Sequence, residues 1–176
     1  VIRHRVLREM TFECPNTGRQ YIFDEELRQS EDIELWLKIA LLKKWEFEGI
    51  EVPLTYYRVN DSGLSSNVKK QYASWCLAVK KNRVGNEEFF QRYLSLARAY
   101  QLRYLARRAI RSGNSWSAIK LINKALITHP GIIIEEPLRT FLTFGGALVS
   151  ILPRSLHRML GNIVMSYFKY RGHGIR

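Results

Sequence analysis

Only two cysteines, Cys14 and Cys76, occur in 176 residues, far apart and without CxxC spacing. That pattern argues against a disulfide framework or a cysteine-based zinc site and predicts a reducing, cytoplasmic setting. Acidic residues are also scarce. Sixteen Asp and Glu stand against 28 Lys and Arg, a net charge of +12. A surplus of that size predicts an anionic partner: nucleic acid, an anionic membrane face or a phosphorylated substrate. Long apolar runs are missing as well. The uncharged stretch "TFLTFGGALVSIL" is short of the ~20 residues that a helix needs to span a bilayer. No signal peptide opens the chain, which begins at Val1, and the sequence reads as a piece of a longer protein. No D-x-D motif occurs; Asp24, Asp32 and Asp61 stand apart from one another. The 46% of hydrophobic residues is enough for a packed core in one domain or two small ones.

What is present divides near residue 66. "VIRHRVLREM" begins as a short strand would, and "CPNTGRQ" reads as a loop. "YIFDEELRQS" is acidic and irregular. A helix is predicted from Glu31 to Lys43, with Ser30 as its N-cap. Its apolar face is drawn by Ile33, Trp36, Leu37, Ala40 and Leu41, widened by Leu35, Ile39 and Leu42. Trp36 and Trp45 are expected in the core. "WEFEGIEV" and "LTYYRV" read as short strands and "NDSG" as a turn.

From about Asn67 the period is helical. "NEEFFQRYLSLARAYQLRYLARRAI" carries no Gly or Pro. "RSGNS" interrupts it, with Gly113 suited to a helix C-terminus and Asn114 or Ser115 to the next N-cap. "WSAIKLINKALITHP" is a second helix, stopped by Pro130. So short a connection predicts an antiparallel hairpin. Leu102, Leu105, Ala106, Ala109, Ala118, Ile122, Ala125 and Pro130 fall where a tetratricopeptide unit places its packing residues, and a generic αα-hairpin fits equally well. From Gly131 onward the chain mixes apolar and basic residues and suits a membrane interface or a surface packed back on the hairpin.

The pair Glu31-Asp32 has a plain explanation. Acids in a first turn meet the positive end of the helix dipole. Its surroundings add a second. Phe23-Asp24-Glu25-Glu26-Leu27 precedes it, and Glu31-Asp32-Ile33-Glu34-Leu35-Trp36-Leu37-Lys38 contains it. Pro53-Leu54, Tyr57-Arg58-Val59 and then Ser62, Leu64, Ser65 and Ser66 of a serine-rich turn follow in order. This succession resembles the C-terminal half of the catalytic domain in family 2 glycosyltransferases, over about the first third of the chain.

The resemblance implies an inverting transfer of a sugar from a nucleotide-sugar donor. Such a reaction needs a base to deprotonate the attacking hydroxyl. It assigns that base to Asp32, with Glu31 holding the acceptor or orienting the base. Arg58 is a candidate for the departing diphosphate, which a guanidinium fits bidentately; the plain alternative is a surface arginine. Asn60 stands where members of the family often carry His, which leaves a metal role there in doubt. "QYASW" at Gln71–Trp75 lacks the Arg of the processive synthases' motif, so single-sugar transfer is expected. The family's Mg²⁺ or Mn²⁺ is held on an N-terminal D-x-D, so this chain is expected to hold no metal and to be inactive alone.

The fold class expected is α+β, mostly α. Residues 1–66 are read as the acceptor-side half of a GT-A α/β catalytic domain. A helical region with a tetratricopeptide-like hairpin follows over 67–130, and a basic amphipathic helical tail over 131–176. The implied partners are a nucleotide-sugar and a saccharide or lipid-linked acceptor in surface polysaccharide assembly, at the inner face of the cell membrane. The rival is a non-enzymatic helical module. Its basic helix, rich in Arg92, Arg98, Arg103, Arg107, Arg108 and Arg111, would bind a partner protein, or nucleic acid through its phosphates. No helix-turn-helix, zinc-finger or RNA-binding signature accompanies those arginines, so nucleic acid is not the expected partner.

Overall fold

The computed structural model describes residues 2–13, 18–52, 54 and 67–152. The described residues are mostly helical, with one two-stranded sheet. They form two compact units, residues 1–94 and 95–176.

The first unit opens with α1 (His4–Met10), where the sequence suggested a strand. The helix wins because Val6 and Met10 lie four residues apart. They share a face that is buried with Leu35 and Ile39. A short hairpin follows. β1 (Phe12–Glu13) pairs antiparallel with β2 (Gln20–Tyr21), Phe12 opposite Tyr21. Gly18, at φ 65°, supplies a left-handed residue in the connection. Then comes α2 (Glu31–Leu41), close to the predicted span.

The packing face of α2 departs from the prediction. Leu35, Ile39 and, unexpectedly, Glu34 are buried, whereas Trp36, Ala40 and Leu42 are exposed. The helix is flanked on two sides. Leu35 and Ile39 pack against α1, and Ile33 and Leu41 join a second cluster around Trp75, Val79 and Phe90. Two separate contacts replace the single broad stripe inferred from periodicity.

The strand expected in "WEFEGIEV" is not formed. Residues 46–50 are exposed and have no ladder partner among the described residues. Pro53 and residues 55–66, including the expected strand "LTYYRV" and Arg58, lie outside the described residues. α3 (Val68–Arg83) is capped by Asn67, whose side chain accepts the Lys70 N–H at 3.0 Å. Gly85, at φ 76°, turns the chain into α4 (Glu87–Arg111), whose first turns complete this unit.

The second unit is built from the rest of α4, α5 (Ser115–Thr128), α6 (Ile132–Glu135) and α7 (Pro137–Val149). The α4–α5 connection is as the sequence predicts. Gly113 has φ 72°, and the Asn114 side chain accepts the Ser117 N–H at 3.2 Å. Ser95 Oγ lies 3.3 Å from His129 Nδ1, so the far ends of the two helices meet, as an antiparallel hairpin requires. Leu102, Leu105, Ala106, Ala109, Ala118, Ile122 and Ala125 are all buried. Alanines at these positions let helices approach closely, and the larger residues fill the gaps.

α5 also packs on α7. The orientation of α7 is fixed by Arg103, which is buried. One guanidinium nitrogen donates to Thr140 Oγ1 at 2.8 Å, and another pairs with Glu136. Beside it the Tyr100 hydroxyl donates to Glu135, which pushes the phenol up to about 12.

Candidate functional site: the first turn of helix α2 and its supporting carboxylates

Ser30 occupies the N-cap position of α2, but its hydroxyl makes no cap hydrogen bond and its backbone is left-handed, at φ 65°. A left-handed serine costs roughly 1–2 kcal/mol, so the surrounding fold must impose this entry angle. Its carbonyl still accepts the Glu34 N–H at 3.0 Å and closes the first helical turn.

Glu31 and Asp32 follow directly. Glu31 is half-buried and Asp32 is exposed. One Asp32 oxygen, Oδ1, accepts the Ile33 N–H at 2.8 Å. Trp36 lies one turn further on, at i+4, so it shares the Asp32 face. Its ring is exposed and meets Phe47 edge to face, with centroids 6.0 Å apart. The core placement expected for Trp36 is therefore corrected. Trp45 does pack against the α1–α2 cluster while its Nε1 donates to Glu9 at 3.1 Å.

The acids that bear structural load are others. Glu34 is fully buried and its Oε1 meets Lys38 Nζ at 2.7 Å, with Asn82 Nδ2 at 3.5 Å. Asp24 is buried and paired with Lys81, which also reaches Glu26 at 2.6 Å. Burial pushes the Asp24 carboxyl up. Lys81 and the Glu26 N–H together outweigh that and hold it below the usual range. Burial likewise pushes Lys81 down, while Asp24 and Glu26 hold it net above its ordinary value. These pairs tie the approach to α2 and the helix itself to α3.

Sequence reading passed over Glu34, Lys38, Lys81 and Asn82. A signal for the first two was present, because Glu34 and Lys38 have the i,i+4 spacing of a helical ion pair inside an apolar run.

A cleft of about 400 Å³ opens beside these pairs, lined by Lys38, Lys81, Asn82, Asn86, Thr11 and Phe12 among others. Asp32 does not line it. Lys38 and Lys81, its two cations among these, already carry carboxylate partners, so the cleft offers amides and an aromatic ring more than free charge. The exposed Asp32–Trp36 face is the better placed of the two for proton transfer, because its carboxylate has no cation partner among the described residues.

A metal fits poorly among the described residues. No three His, Cys, Asp or Glu side chains come together there, and Asp24 and Glu34 are occupied by lysines. Arg58, the expected diphosphate ligand, lies outside the described residues. No family model, no curated protein and no solved structure matches this chain.

Proposed function

We propose that this chain forms the acceptor-side, C-terminal part of a GT-A type family 2 glycosyltransferase that transfers one sugar with inversion. The reading is carried by Asp32, an exposed carboxylate with no cation partner among the described residues, on the first turn of a helix anchored on both flanks. The ordered motifs around it, from Phe23 to Ser66, support the same reading.

Asp32 takes the proton from the acceptor hydroxyl as that oxygen attacks the anomeric carbon and the bond to the nucleotide diphosphate breaks. Glu31, next to it, helps hold the acceptor. Trp36 offers a flat apolar face to the acceptor sugar ring one turn away from the base. Arg58 steadies the departing diphosphate. In such enzymes Mg²⁺ or Mn²⁺ neutralises that diphosphate from the N-terminal half. No set of ligands for it is brought together among the described residues. The acceptor would be a saccharide or lipid-linked saccharide of surface polysaccharide assembly, met at the inner face of the membrane.

The test is transfer by the full-length polypeptide carrying this sequence, given a panel of nucleotide-sugars with Mn²⁺. Asp32→Asn is expected to keep donor binding and lose transfer by ~10²–10⁴-fold, the usual worth of a general base. Normal transfer by Asp32→Asn reduces the acidic pair to a helix start and removes the case for catalysis at this site.

A further inference from the structure

Helix α7 is turned inside out. It buries Thr140, Thr143 and Ala147. It exposes Leu138 (71%), Phe141 (63%), Leu142 (66%) and Leu148. At 100° per residue these four fall on one arc of the helix, opposite the buried threonines. Ile134 before the helix and Ile151 and Leu152 after it are exposed too.

This orientation is built in. Thr140 Oγ1 accepts from Arg103 and hydrogen-bonds the Ile132 carbonyl at 3.0 Å, while Thr143 Oγ1 donates to the Arg139 carbonyl at 2.7 Å. Rolling the leucines inward would strand the Arg103 guanidinium in a dry core, where an unpaired charge is costly. The fold therefore holds an apolar stripe outward by means of a buried charge.

The charge of the sequence that carries the stripe indicates what covers it. From Pro137 to Arg176 the chain carries six Lys and Arg and no Asp or Glu. The two acids just before it are engaged, Glu135 with Tyr100 and Glu136 with Arg103 and Arg139. A second copy docked through the same segment would bring the same cations and none of its own acids to meet them. An anionic lipid surface supplies both an apolar layer and phosphates. No helix among the described residues is long and apolar enough to cross a membrane.

We propose that the outward face of α7, centred on Leu138, Phe141 and Leu142, docks in the interface of an anionic bilayer. This deepens the membrane-face placement given above and does not depend on the chain being a transferase.

The experiment is co-sedimentation of the full-length polypeptide carrying this sequence with vesicles, without any sugar donor. One set is phosphatidylcholine alone; the other carries about 30% phosphatidylglycerol as anionic lipid. The wild type is expected to bind the anionic vesicles and to bind phosphatidylcholine at least about tenfold more weakly. The Leu138→Ser/Phe141→Ser/Leu142→Ser variant is expected to lose about tenfold or more in partitioning onto the anionic set. Should that variant misfold by circular dichroism, Phe141→Trp serves instead, its added emission being quenched by lipids brominated in their chains.

Three outcomes overturn the proposal. The wild type binds neither vesicle; the triple variant or an unquenched Phe141→Trp binds as the wild type does; or the stripe drives self-association of a chain that ignores lipid. Because no donor is present, a failed transfer assay leaves this result standing, and a failed vesicle assay leaves the assignment of Asp32 standing.

Discussion

Helices α5 and α7 are neighbours of similar length that solve the same packing problem in opposite ways. α5 buries Ala118, Ile122 and Ala125 and turns Lys120, Asn123 and Lys124 outward, with Trp116 and Ile127 exposed at its two ends. α7 buries two threonines and an alanine and turns leucine and phenylalanine outward. Hydrophobic burial orients the first helix. A guanidinium and two hydroxyls orient the second, since a polar group in a dry interior has a strongly preferred partner and an exposed leucine only a modest preference to be elsewhere. An amphipathic pattern thus predicts that a helix has two faces without deciding which one points inward.

The largest effect should come from α5. Ile122 is fully buried, so Ile122→Ala is expected to cost ~3 kcal/mol of unfolding free energy, read by urea denaturation followed by circular dichroism. A loss under about 1 kcal/mol would mean that this interface is loosely packed, and the contrast with α7 would fail.

Next comes the lock on α7. Arg103→Met removes the buried guanidinium that is bonded to Thr140 and Glu136, with an expected loss of ~2–3 kcal/mol. A more informative result would be little loss of stability together with reduced exposure of the Phe141 stripe, read by a dye that binds apolar surface. Methionine would then have let α7 roll over, and the guanidinium would be shown to set orientation more than stability.

The first unit has its own cation clamp. Lys81→Met should cost ~1–2 kcal/mol, because the Asp24 carboxylate would be left buried without its ammonium. The pH dependence follows from both partners. Asp24 is held below its ordinary value, so its contribution is complete above about pH 4 and is lost as pH falls through the lowered value. Lys81 is held above its ordinary value, so its contribution is complete below about pH 10 and fades as pH rises through the raised one. Acid titration of wild type against Lys81→Met should show the two stabilities converging only below about pH 4. Convergence near neutral pH would contradict the pairing.

How far the sequence disclosed these features depended on how local their causes are. The α4–α5 hairpin was legible, because Gly113, Asn114 and Pro130 mark its ends and its small residues sit at helical spacing. The start of α2 was legible in position, although the Ser30 hydroxyl expected to cap it makes no cap hydrogen bond. Its buried face was not, because contact with α1 on one side and α3 on the other is set by segments distant in sequence. The strand expected in "WEFEGIEV" is absent because alternation supplies a face and not a partner, and none is found among the described residues. At the site, Asp32 could be singled out from neighbouring motifs. The Asp24–Lys81 pair spans 57 residues of separation and leaves no local mark. The exposure of Trp36 follows from the rotation of α2, so an error in one became an error in the other.

The smallest expected effect is the most telling about α7. Phe141 is apolar and large, and a substitution to serine in a core costs several kcal/mol. Here the ring faces outward, so Phe141→Ser should change stability by no more than ~0.5 kcal/mol, as for surface positions elsewhere. The same denaturation series that includes Ile122→Ala gives the answer directly. A cost approaching that of Ile122→Ala would show that the stripe is covered within the chain itself, and the outward face of α7 would cease to be available to lipid. A cost near zero leaves an apolar stripe that folding does not need, maintained at the expense of two buried hydroxyls and a buried guanidinium. That combination is what a docking surface requires and what a packing surface does not.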